Sequence, residues 1–209
     1  MASQIDICNL ALAKLGTQAI PSLTSNDPKA AILNRMYPLL LAKLQRVYRW
    51  SFCLTYAELP ALVDVPLFEY NYAYALPTDC LQLYLCDVSL GNSIDIGMPG
   101  ASMGDWNFNR LQNYRVVGRN VYTSIPAPLR IQYGRLVTDT AQFDAAFNES
   151  FACYMAWQLC EQLTGSGSKK DAAAKEYQFS MREARLANAV ELPPETIPDD
   201  TFMGSRLSS

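Results

Sequence analysis

The sequence predicts an α+β protein: a helical bundle of about four helices, an antiparallel β-domain inserted into it, and an extended C-terminal arm. Three observations predict this class. Residues 1–50 and 140–190 carry apolar side chains at helical spacing. Residues 51–139 between them hold short runs rich in β-branched and aromatic residues, separated by turn formers. From residue 191 onward the periodicity stops, yet Ile197, Phe202, Met203 and Leu207 remain scattered among prolines and acids.

Ser3-Gln4-Ile5-Asp6 fits a capping box, in which a serine and a carboxylate satisfy the orphan donors of a helix start. Ile5, Cys8, Leu12 and Leu15 then keep a helical period, and Gly16 supplies a stop. Ile7, Leu10 and Ala11 make further faces apolar, which places this helix among others. Residues 21–26 read as a loop, Asp27 as a cap, and Pro28 as a first helical residue, where its missing N–H costs nothing.

The second helix, 28–49, is amphipathic: Leu33, Met36, Tyr37, Leu40, Leu44 and Val47 fall on one side and Arg35, Lys43, Arg46 and Arg49 on the other. Pro38 inside it is expected to kink it. No acid occurs between Pro28 and Ala57, so the basic side is either a solvated face or a stripe that meets a neighbouring subunit or another partner.

LQLYLCDVSL, YRVVGRNVYT and LRIQYGRLV read as strands, with Gly118-Arg119-Asn120 opening a hairpin. Four of the ten glycines fall in GNSIDIGMPGASMGDWNFN, residues 91–109, a long loop tipped with Trp106 and Phe108. Helical spacing resumes after Asp144 with Phe147, Phe151, Tyr154, Met155 and Leu159, and Gly165 stops it. Ser168 and Asp171 read as a second capping box, opening an alanine-rich helix to about Ala189.

Composition narrows the chemistry. Half of the 209 residues are apolar, enough for a sizeable core. A net charge of −3 gives no general pull toward nucleic acid or an anionic membrane. The six cysteines show no C-x-x-C, and most sit among apolar residues, as free thiols packed in a reducing compartment do. MASQID has neither the basic flank nor the apolar run of a secretory signal, and no apolar stretch is long enough to span a membrane. The chain has no histidine, which removes Ser-His-Asp and Cys-His catalysis and the commonest metal ligand. GSGSKKD lacks the spacing of a phosphate loop and lies between two helices. Glu58, Glu69, Asp79 and Asp87 keep a carboxylate-pair hydrolase open as an alternative. No cofactor or metal is expected.

Several stretches carry a family resemblance. IDICNLALAKLGTQAIPSL, YPLLLAKLQRVYRWSFCLTYAEL, FEYNYAYALPTDCLQL and FDAAFNESFACYMAWQLCEQLTGS together span most of residues 4–190. In these the chain resembles the head-to-tail adaptor proteins of short-tailed phages, the tail tubular protein A type. The Tyr-Ala-Tyr-x-Leu-Pro-x-Asp-Cys-Leu segment is the most specific match. The resemblance implies a structural, non-enzymatic virion protein of the phage neck, made in the host cytoplasm. It implies a homo-oligomeric, dodecameric ring under the portal that extends the DNA channel and carries the next tail component, with DNA passing through unread. It further implies that the C-terminal arm docks on the portal. Prolines 193, 194 and 198 keep that arm extended, and Ile197, Phe202, Met203, Arg206 and Leu207 are its candidate contacts. The loop 91–109 matches no family pattern. The alternative from a different class is a virion-associated cell-wall hydrolase using Glu58 and Glu69.

Overall fold

A computed structural model describes residues 2–64, 66, 69–86 and 114–191. The expected loop 91–109 and the arm beyond Glu191 lie outside the described residues. Among those described, the order is α1 (Gln4–Lys14), α2 (Pro28–Val47), β1 (Leu54–Leu59), β2 (Tyr72–Ala75), β3 (Cys80–Cys86), β4 (Tyr114–Val117), β5 (Asn120–Thr123), β6 (Leu129–Arg135), α3 (Ala145–Thr164) and α4 (Gly167–Glu191). Two helices, six antiparallel strands and two further helices make the protein α+β. No helix among the described residues is long and apolar enough to cross a membrane.

Packing divides the chain into two compact units, Met1–Tyr37 with Thr140–Ser209, and Pro38–Asp139. The division falls within α2, which continues through Pro38.

In the first unit, α1 opens on the capping box: the Ser3 N–H donates to Asp6 Oδ2 at 2.8 Å and the Asp6 N–H to Ser3 Oγ at 3.3 Å. Gly16, at φ 66°, ends it in the left-handed conformation that a side chain resists. Asn9 then clamps the following loop, exchanging two hydrogen bonds with the backbone of Ile20.

α3 begins at Asp144, whose carboxylate accepts from the Ala146 N–H at 3.2 Å. Its residues 150–156 are buried without interruption, because α1 and α4 both pack on it. Phe147 and Phe151 stack at 6.0 Å, and Tyr37 from α2 meets Phe151 edge-on at 5.1 Å. α4 starts at Gly167, ahead of Ser168, so the expected Ser168 cap sits inside the helix.

The second unit contains two three-stranded antiparallel sheets, β1-β6-β3 and β2-β5-β4. β4 and β5 form the expected hairpin: Val117 pairs with Asn120, and Gly118 supplies the positive φ of 63° at the first turn position. Leu59, Tyr74, Cys86, Val121, Leu129, Ile131 and Tyr133 form the core the sheets share. The Tyr74 hydroxyl donates to the Ile125 carbonyl at 2.7 Å, which satisfies the one polar atom this ring buries.

Trp50 is buried at the junction into β1, stacked on Phe52 at 6.1 Å, with its indole N–H donating to the Leu44 carbonyl. Gln45 exchanges two hydrogen bonds with the Val137 backbone, so a buried amide pins α2's end to the segment after β6.

Candidate functional site

The basic residues of α2 separate into two environments. Arg35, Lys43 and Arg46 are exposed. Arg49, just past the helix end, is half-buried: it donates to Gln132 Oε1 at 3.1 Å, and its guanidinium lies 5.3 Å from the Tyr84 ring centroid. Gln132 in turn donates to the Tyr56 hydroxyl at 2.8 Å. The first three are therefore exposed cations of α2, while Arg49 lies against the face of the β1-β6-β3 sheet that carries Tyr56 and Gln132, opposite the face whose Leu129, Ile131 and Tyr133 join the core. The arm residues Ile197, Phe202, Met203, Arg206 and Leu207 lie outside the described residues.

The candidate acids are engaged at the surface. Glu58 stands directly opposite Arg130 across β1 and β6 and accepts from it at 3.0 Å. Glu69, in the left-handed region at φ 69°, accepts from Arg115 at 3.3 Å. Asp79 accepts from the Tyr133 hydroxyl at 3.3 Å. Asp87 lies outside the described residues. Exposed pairs like the first two contribute about 0–1 kcal/mol each. The first ties two neighbouring strands and the second ties the segment before β2 to β4, with each glutamate held by an arginine. Glu69 and Arg115 also line a shallow hollow of about 450 Å³ with Leu62, Asp64, Tyr70 and Tyr122.

A cluster that sequence reasoning missed lies in the first unit, where Glu149 of α3, Cys153 of α3 and Glu176 of α4 bring ligand-type atoms within 4.8 Å of one another. The position a cation would take there is filled by Lys14. Its ammonium donates to Glu149 at 2.5 Å and to Glu176 at 2.7 Å. Burial by itself would push this ammonium's pKa down, but the two carboxylates outweigh it and hold the pKa above the usual lysine range. Burial also raises the Cys153 thiol, against what a metal ligand requires. The group is a three-helix ion lock. The sequence signal for it is weak, because Lys14 lies far along the chain from Glu149 and Glu176.

The GSGSKK stretch is structural. Gly165 caps α3 at φ 65°, Lys169 donates to the Leu15 carbonyl at 3.1 Å, and Lys170 pairs with Glu161 at 3.0 Å. Lys170 thus closes the α3–α4 turn and Lys169 ties it to the end of α1.

All six cysteines are free; Cys80 is half-buried and the other five are buried. Burial pushes the Cys8 and Cys53 thiols up to about 12, so at neutral pH they pack as small apolar groups and not as nucleophiles.

A second feature missed in the sequence is an exposed apolar stripe on α4, made by Phe179, Leu186 and Val190. Its helical spacing was readable, but the buried side of the same helix (Ala173, Ser180, Met181, Ala184) is small and polar enough to hide which face is which. No protein-family model matches the sequence, and no curated protein matches it.

Proposed function

We propose that this chain is a structural head-to-tail adaptor of a short-tailed phage virion, assembling as a ring beneath the portal. In that role it extends the DNA channel, passes the DNA through without reading its sequence, and carries the next tail component. The observation that carries the reading is the agreement between the motif stretches and their places in the fold. Trp50 seals the exit of α2, Tyr74 anchors the core shared by the two sheets, and Phe147 and Phe151 stack along α3. The motifs therefore fall where they hold each unit together, helix packing in the first and a core shared by two sheets in the second. Charge supports the same reading: the exposed cations of α2, Arg35, Lys43 and Arg46, suit acidic protein surfaces of a neighbour or the portal.

In this proposal the arm docks on the portal through Ile197, Phe202, Met203, Arg206 and Leu207, ordering as it binds and using part of its contact energy to do so. The test is deletion of residues 191–209. The shortened chain should keep its far-ultraviolet circular dichroism and thermal transition but no longer co-sediment with portals. Undiminished co-sedimentation would overturn the arm's assignment.

A further inference from the structure

α4 presents a face that its own unit leaves open. Phe179, Leu186 and Val190 are 64%, 65% and 86% exposed on a helix whose opposite side is buried against α3. At 3.6 residues per turn, Leu186 falls about 20° to one side of Phe179 and Val190 about 20° to the other, so the three form one straight seam.

The charges beside that seam are sorted by sign. Glu183 and Glu176 lie about 40° and 60° to one side of Phe179, and Lys175 and Arg182 about 40° and 60° to the other. Glu176 is already held by Lys14. Among the described residues Arg182 and Glu183 are both exposed and neither is ion-paired.

A seam with an acidic flank and a basic flank dictates how it can meet itself. If two copies pair with their α4 helices antiparallel, like flanks face each other, acid against acid and base against base. If the helices run parallel about a two-fold axis, each acidic flank faces the partner's basic flank at the same level. We infer that α4 is a self-association face, on which two copies of this chain pair in parallel, with Phe179, Leu186 and Val190 forming the seam and Glu183 of each copy meeting Arg182 of the other.

This pairing does not depend on the adaptor reading. A two-fold pair closes on itself, whereas a ring needs a head-to-tail contact between two different surfaces. Either can hold without the other.

The experiment is sedimentation velocity of the full chain over a range of concentrations, with charge-swap and crosslinking variants. The wild type should move from monomer to dimer as concentration rises, more weakly at high salt. Leu186→Glu should weaken dimerisation at least about tenfold while leaving the thermal transition in place, since the side chain is exposed. Arg182→Glu and Glu183→Arg should each dimerise poorly alone and well when mixed, because the mixture restores both opposite-charge contacts.

A short bis-maleimide should join two Val190→Cys chains to each other far faster than it joins two wild-type chains, whose cysteines are mostly buried. A chain monomeric at every concentration would overturn the proposal, as would a dimer indifferent to Leu186→Glu. Crosslinking of Ala172→Cys to Val190→Cys in preference to the like pair would overturn the parallel arrangement.

Discussion

Tyr84 lies across the bare backbone of Gly134: a β-carbon at that glycine would sit 2.7 Å from the tyrosine hydroxyl and 3.1 Å from two of its ring carbons. Gln82 is the register partner of Gly134, and Tyr84 reaches the glycine from the irregularity of β3 between Leu83 and Leu85, with Arg49 over the same ring. Gly134 is thus required by a close approach, in a strand where glycine otherwise weakens the ladder. Gly134→Ala should destabilise the protein by about 1–3 kcal/mol by displacing the ring from beneath Arg49. Urea denaturation measures this. In a Tyr84→Ala background the penalty should shrink to near the error, because the clash has gone.

The Lys14 lock gives a second prediction. Lys14→Met leaves Glu149 and Glu176 side by side without their cation, on a lysine site that is only 14% exposed. The glutamates keep about half of their exposure, so the loss should fall below that of a fully buried pair, at about 1–3 kcal/mol. Adding Glu149→Gln and Glu176→Gln to Lys14→Met should recover part of it, as read by the thermal midpoint. Full recovery of stability in Lys14→Met alone would show that the lock carries no weight.

Thiol chemistry gives a third. Ellman's reagent at mildly alkaline pH should label Cys80 ahead of the five buried cysteines, and label all six only after denaturation. The pH dependence follows from the same burial. Cys8 and Cys53 keep their protons up to about 12 when folded, whereas an unfolded thiol gives its proton up near 9.0. Above that lower value the unfolded chain binds fewer protons than the folded one, so stability is intact below about pH 9 and falls between about pH 9 and 12. Replacing both residues with alanine should flatten that part of the stability curve, whatever it costs in packing.

A fourth concerns the start of the central helix. Asp144→Ala removes the acceptor for the Ala146 N–H and should cost about 1 kcal/mol, whereas Asp144→Asn or Asp144→Ser should cost much less. A loss that is equal for all three would mean that the charge and not the cap matters.

The helices were legible because their signals are local. The Ser3–Asp6 box, Pro28, Asp144 and Gly165 each mark an end with one or two residues, and the described ends agree with them. The Gly118 hairpin was legible for the same reason. The sheets were not, because their order depends on non-local pairing. β1 pairs with β6, some seventy residues on, and the strands fall into two sheets by contacts that no window of sequence contains.

Arg49 illustrates the limit at a single residue. Its spacing puts it with Arg35, Lys43 and Arg46, but α2 ends at Val47, so the helical wheel no longer governs where it points. The Lys14 lock was hidden by sequence distance, and the α4 seam by a buried side of small residues that gives little hydrophobic contrast.

The central claim, a ring-forming adaptor, is tested most directly by electron microscopy of the purified full-length chain mixed with its cognate portal. A ring-forming adaptor adds density in a dodecameric ring on the tail-facing end of the portal, coaxial with the channel. Portals that remain bare at saturating concentrations of folded chain would contradict it.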